Sequence, residues 1–186
     1  MLYKEENWKH QSVMSVAAAM LAAAATAPKA CGINCLESCV VDGAEKDALS
    51  AEMRRLGTEN KQEFFIRDAG NVDLSECVVL IGARDEYRML AHCGYCGLGS
   101  CGSTKKQGGR CTMAITDLGI AIGSAVSVAA DHRIDSRVMF SAGKAAISLG
   151  YLGENVKTVF AIPLSVSEKS PYFDRPPVAS ASALKK

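Results

Sequence analysis

The chain has 186 residues, 21 Lys and Arg against 20 Asp and Glu, 48% hydrophobic residues and 8 Cys. That length predicts one domain with a substantial core, and the composition is too apolar and too evenly charged for a disordered chain. A net charge of +1 without any Lys/Arg block excludes the electrostatic footprint of a nucleic-acid binder or a polybasic membrane patch.

Near the N-terminus, Val13 to Pro28 runs 16 residues without a charge. The run is shorter than the ~18–20 residues of a membrane span. The segment before it, Lys4 to Lys9, carries two acids, unlike the positive start of a signal peptide. The run predicts a buried, Ala-rich helix from Gln11 to Thr26, stopped by Pro28. Without a secretory signal the chain is expected in the cytoplasm, where eight cysteines point to metal or redox chemistry rather than to disulfides.

Leu36–Val41 reads as a strand ending at Asp42-Gly43. Ala44 to Leu56 has apolar residues at the helical spacing Ala48, Leu49, Met53 and Leu56, with Gly57 as a C-terminal stop. Lys61 to Ala69 predicts a further helix or helical turn. The unbroken apolar run Cys77–Gly82 predicts a central strand covered on both faces. From His92 to Cys111 the texture changes: six glycines and four cysteines occupy 20 residues, which marks a functional loop.

Thr112 opens a second apolar stretch, Met113 to Ala130, in which Asp117 is the only charge. Gly119, Gly123 and Ser127 recur every four positions and would allow close approach by another helix. A helix apolar all round belongs in a core or a subunit interface, and Asp117 weighs against the rival reading of a membrane span. A helix around Arg137–Leu149, a turn at Gly150–Glu154 and a strand Thr158–Ile162 closed by Pro163 follow. From Pro171 the chain reads as an extended tail.

Four of the cysteines, Cys93, Cys96, Cys101 and Cys111, form a C-x2-C-x4-C-x9-C series. The short step lets two thiolates bind neighbouring irons from one tight turn, and the longer steps wrap the chain around a cluster. Glycines beside the ligands remove Cβ crowding and free backbone N–H groups to face cluster sulfurs. Cys111 precedes a helix start, where exposed amides favour an anion, and Lys105, Lys106 and Arg110 add positive charge. This pattern suits a [4Fe–4S] cluster held by four thiolates. A structural zinc site is the competing reading, although such sites usually show two C-x2-C knuckles and one is present here. Unrelated free thiols are the blandest reading. Cys31, Cys35 and Cys39, with Cys77, raise a second metal site, against which stands the ordinary use of strand cysteines as small buried hydrophobes.

The block Cys93-Gly-Tyr-Cys96-Gly…Cys101…Gly-Gly-Arg110-Cys111, followed by Ile115-Thr-Asp-Leu-Gly-Ile-Ala-Ile-Gly-Ser-Ala, resembles the uncharacterised ferredoxin-domain proteins of anaerobic bacteria and archaea. The resemblance takes in Ala27-Pro28-Lys29 and Pro163-Leu-Ser165…Phe173-Asp-Arg175. The C-G-x-C-G-x3-C opening is also similar to modules that bind a [4Fe–4S] cluster in corrinoid and carbon monoxide dehydrogenase-associated proteins.

More distantly, the order of elements resembles nitroreductases. That likeness implies an α/β, three-layer sandwich with a mixed sheet between helices, as one domain over residues 1–175 carrying the Cys loop 92–111, with an extended tail 176–186. It further implies a homodimer built on the long apolar helix and FMN at the dimer interface. Lys29, Asn34, Arg133, Ser136, Arg137 and Arg175 are the residues it offers to a flavin. The Arg-Ser-x-Arg start that nitroreductases use for the FMN phosphate is absent.

The chain is therefore expected to be an iron–sulfur oxidoreductase passing electrons to a flavin and a small-molecule acceptor, or an electron carrier that docks a redox partner protein. A zinc-stabilised structural protein is the weaker alternative. No Ser/His/Asp triad, P-loop or Rossmann fingerprint supports a hydrolase or kinase.

Overall fold

The computed structural model describes residue 2 and residues 4–173, so the tail 176–186 and Arg175 lie outside the described residues. Helix α1 spans Glu5–Thr26. It starts six residues before the expected Gln11, where Glu5 and Lys9 pair across one turn at 3.2 Å and support a polar first turn. After a single 3-10 turn at Ala30–Gly32 come β1 (Leu36–Val41), α2 (Gly43–Glu59), α3 (Glu63–Asp73) and β2 (Cys77–Arg84). The chain then runs through the cysteine loop with a short α4 (Cys101–Lys106), and on to α5 (Thr112–Asp131), β3 (Asp135–Ser136), α6 (Phe140–Ser148) and β4 (Val156–Ser165).

The four strands form one sheet in the order β1-β2-β4-β3. A mixed sheet was expected; every pairing among the described residues is instead antiparallel. The layers are as anticipated, a sheet between helices. Alternation along β2 sends Cys77, Val79, Ile81 and Ala83 to the side of α1 and α5, and Val78 and Leu80 to the side of α2, α3 and α6. Cys39 packs on the second side and Cys77 on the first, so the sheet itself separates these two members of the suggested second metal site. Burial pushes the Cys77 thiol up to about 12, helped by the nearby Asp42 and Glu76 carboxylates.

Several boundaries move for local reasons. Gly57 does not end α2, because a Cβ there would stand 2.9 Å from the Phe65 Cβ: the glycine is a packing residue between α2 and α3. Pro163 lies inside β4 rather than closing it. Ala161 exchanges both backbone bonds with Met139, so Pro163, two residues on, faces the same way. There the ladder to β3 is interrupted between Ser136 and Met139, and a missing N–H costs nothing. The start of the supposed tail is anchored. Tyr172 is fully buried with its hydroxyl 2.9 Å from Ser75 Oγ, and Asn71 donates to the Pro171 carbonyl.

Helix α6 lies unusually close to β4 because of one glycine. A Cβ on Gly143 would fall 2.0 Å from the Val159 carbonyl oxygen, whereas a Cβ on Gly70 in α3 would meet nothing within 4 Å. Gly143→Ala is expected to cost about 3 kcal/mol by forcing α6 off the sheet. Gly70→Ala should be neutral or gain up to about 1 kcal/mol from helix propensity. Chemical-denaturation midpoints of the two variants check both signs.

Candidate metal and redox site

Strand β2 delivers the chain to the site. Beyond Arg84 the backbone leaves the sheet, held by the Arg84 N–H on the Cys35 carbonyl (2.8 Å) and the Asp85 N–H on the Asn155 carbonyl (3.1 Å). The segment to Ser100 has no regular structure and turns repeatedly through the left-handed region, at Met89, His92, Gly94, Gly97 and Gly99. The glycines take that conformation without strain; Met89 (φ 53°) and His92 (φ 59°) carry a Cβ into it, a cost that persists mainly where function needs the backbone so placed.

The far side of the loop is tied back at two points. Tyr87 donates its hydroxyl to the Gly109 carbonyl at 2.7 Å, closing the entry of the loop on its exit. Gly109 packs so tightly on Thr104 and Leu98 that a Cβ would lie 2.9 Å from the Thr104 methyl. Ser100 caps α4 by accepting the Ser103 N–H at 3.2 Å.

Cys93, Cys96, Cys101 and Cys111 all border one cavity of about 390 Å³, together with His92 and the apolar Met89, Leu90 and Met113. The loop thus brings together the four cysteines singled out by their spacing. Among the described residues no three His, Cys, Asp or Glu side chains stand close enough to share a single metal ion. Cys111 is the buried N-cap residue of α5, at the positive end of a 20-residue helix. The Cys96 sulfur lies 2.8 Å from the buried Thr104 hydroxyl, and this contact holds the thiol below the ordinary range. Arg110 is paired with Asp85 at 3.2 Å, and Lys105 and Lys106 close α4 without lining the cavity.

Beneath the loop lies a cluster that the sequence reading missed. Arg88 Nη2 donates to Asp117 Oδ2 (2.7 Å) and to the Cys35 sulfur (3.0 Å), and Asp117 Oδ1 accepts the Ala30 N–H (3.0 Å). Arg88 is 5% exposed, Asp117 3% and Cys35 0%. Two further guanidinium nitrogens, Nε and Nη1, are buried with no acceptor among the described residues. The visible signal was Asp117, one carboxylate in an apolar helix, which demands a buried partner.

The residues offered to a flavin are dispersed, and none of those described lines the cysteine cavity. Lys29 donates to the Ala24 carbonyl at 2.8 Å, at the C-terminal end of α1. Asn34 accepts the Leu36 N–H at 3.1 Å and shapes the entry to β1. Arg137 lies 3.5 Å from the buried Asp68 of α3 and 5.9 Å over the Phe173 ring. Ser136 pairs with Leu164 in the sheet, and Arg133 is exposed with φ 57° after α5.

Residues 107–175 match a family described as uncharacterised proteins containing a ferredoxin domain. An uncharacterised protein of Archaeoglobus fulgidus is 40% identical over 95% of this chain and 99% of its own length. Among solved structures the fold is similar to an FMN-dependent nitroreductase of Mycobacterium smegmatis in complex with NADPH, with 14% identity, 93% and 87% of the two chains covered and a TM-score of 0.59. It is also similar to an FMN-dependent nitroreductase of Clostridium difficile, with 18% identity, 83% and 76% covered and a TM-score of 0.54.

Removing Asp117 while keeping Arg88 leaves a buried, uncompensated guanidinium. Asp117→Ala is expected to cost about 3–5 kcal/mol, and Arg88→Met combined with Asp117→Leu clearly less, because an apolar pair leaves no charge stranded. Urea unfolding of the two proteins compares them; equal losses would show that the ion pair has no such role.

Proposed function

Because this chain belongs to the family of uncharacterised proteins containing a ferredoxin domain, we propose that it is an iron–sulfur redox protein in which Cys93, Cys96, Cys101 and Cys111 hold one [4Fe–4S] cluster. The observation that carries the reading is the convergence of all four cysteines on one cavity. Sulfurs set around a cavity suit a group with several irons, each taking one thiolate, better than a zinc ion that draws four sulfurs to about 2.3 Å. When bound, such a cluster supplies one-electron chemistry at a potential set by charge, hydrogen bonds to sulfur and exposure.

The chain's own residues supply those settings. The amide end of α5 favours the Cys111 thiolate. The glycines at 94, 97 and 99 leave the backbone bare beside the ligands. Met89, Leu90 and Met113 make part of the wall apolar.

Within the redox role two forms compete: relay to a flavin that reduces a small acceptor, and electron carriage to a partner protein. Lys29, Asn34 and Arg137 are engaged with their own chain, which favours the carrier. A homodimer accompanies either form. Its proposed contact is the outer face of α5, where Gly119, Ile120, Gly123 and Ser127 are exposed and a Cβ on Gly123 meets nothing within 4 Å.

Anaerobically purified protein should show a broad shoulder near ~400 nm that dithionite bleaches, with about four irons per chain. Cys101→Ala should lower iron content towards three atoms or none. Full iron loading in that variant, or a colourless zinc-loaded wild type, would contradict the assignment. Sedimentation tests the dimer separately: the wild type should be a dimer at micromolar concentration and Gly123→Asp a monomer, while a dimer that survives the charge would rule out this contact.

A further inference from the structure

The cysteine loop differs from the rest of the chain in charge. From Tyr87 to Thr116 there is no Asp or Glu, while Arg88, Lys105, Lys106 and Arg110 are basic. Arg88 is buried against Asp117 and Arg110 pairs with Asp85. The field at the rim therefore comes from Lys105 and Lys106, exposed in the last turn of α4 with no carboxylate partner among the described residues. The loop they belong to, joined to α4 where the Cys96 sulfur meets the Thr104 hydroxyl at 2.8 Å, also presents large apolar side chains to solvent: Met89 is 71% exposed, Leu90 40% and Tyr95 76%. Met89 and Leu90 also line the cavity that holds the four cysteines.

An apolar patch beside a single sign of charge has the anatomy of a transient docking site. The apolar centre gives contact once water leaves, and the charges steer encounter and select the partner. We infer that this rim is the docking surface for an acidic one-electron carrier protein, whose carboxylates face Lys105 and Lys106 and whose apolar centre meets Met89, Leu90 and Tyr95. With a cluster bound by the four cysteines, the reduced carrier would give it one electron, the carrier being oxidised and the cluster reduced, with no bond or proton moved. The inference rests on the redox reading of the four cysteines, but docking is measured apart from it.

The test is calorimetric titration of the purified protein with an acidic plant-type [2Fe–2S] ferredoxin as probe and basic cytochrome c as counter-probe. Ferredoxin should bind and cytochrome c should not. Affinity for ferredoxin should fall about tenfold between ~50 and ~200 mM salt and by a similar factor in K105E/K106E. Tyr95→Asp, at an exposed position that folding does not need, should weaken binding at both salt concentrations. Absence of ferredoxin binding, equal binding of both probes, or indifference to salt and to K105E/K106E would overturn the inference. So would a change of oligomeric state in Tyr95→Asp, which would make a second copy of the chain the occupant. Iron content is read on the same samples, so loss of the cluster assignment and loss of the docking surface give different results.

Discussion

Arg88 and Asp117 must stay together, because each is almost wholly removed from water and neither can be ionised there alone. Three segments depend on that requirement. Arg88 lies where the chain leaves β2 for the cysteine loop, Asp117 belongs to the second turn of α5, and the Ala30 amide and Cys35 sulfur that complete the cluster come from the link between α1 and β1. Cys93 follows Arg88 by five residues and Cys111 precedes Asp117 by six. One ion pair therefore fixes the distance between the two ends of the loop, and the Tyr87–Gly109 bond repeats the constraint closer to the mouth.

The loop between those ends has no core of its own. Its glycines and its strained Met89 and His92 are tolerated because β2 and α5, both packed against the main hydrophobic cluster, determine where it begins and ends. A rigid scaffold that presents a glycine-rich segment is the ordinary division of labour between core and site. It also separates two uses of cysteine in one chain. Cys35 and Cys77 are buried in the core outside the loop, while Cys93, Cys96, Cys101 and Cys111 border one cavity whose wall includes the apolar Met89, Leu90 and Met113. The ferredoxin-domain family suggests a redox role, and the loop is the part of the chain to which the proposed function assigns it.

Much of this was legible in the sequence because the relevant signals are local. The end of β1 at Asp42-Gly43 and nearly the whole of α5, an apolar run, can be read locally, and the cysteine spacing picks out four residues that border one cavity. What stayed hidden depends on partners distant along the chain. Gly57 looks like a helix stop until Phe65 is packed on it, and Pro163 looks like a strand end until the interrupted ladder beside it is seen. Helix α4 is six residues long inside a glycine-rich stretch, and β3 only two, too short to impose a period. The all-antiparallel pairing follows from contacts that no local pattern encodes. Arg88 and Asp117 are 29 residues apart, and nothing near Arg88 says that it will be buried.

Whether the cavity holds several irons or a single ion can be read from an anaerobic crystal structure with diffraction recorded on both sides of the iron and zinc absorption edges. The account predicts one compact iron-specific density bonded to the sulfurs of Cys93, Cys96, Cys101 and Cys111. A zinc-specific density at that position, or iron bound to other cysteines with these four left as thiols, would contradict it.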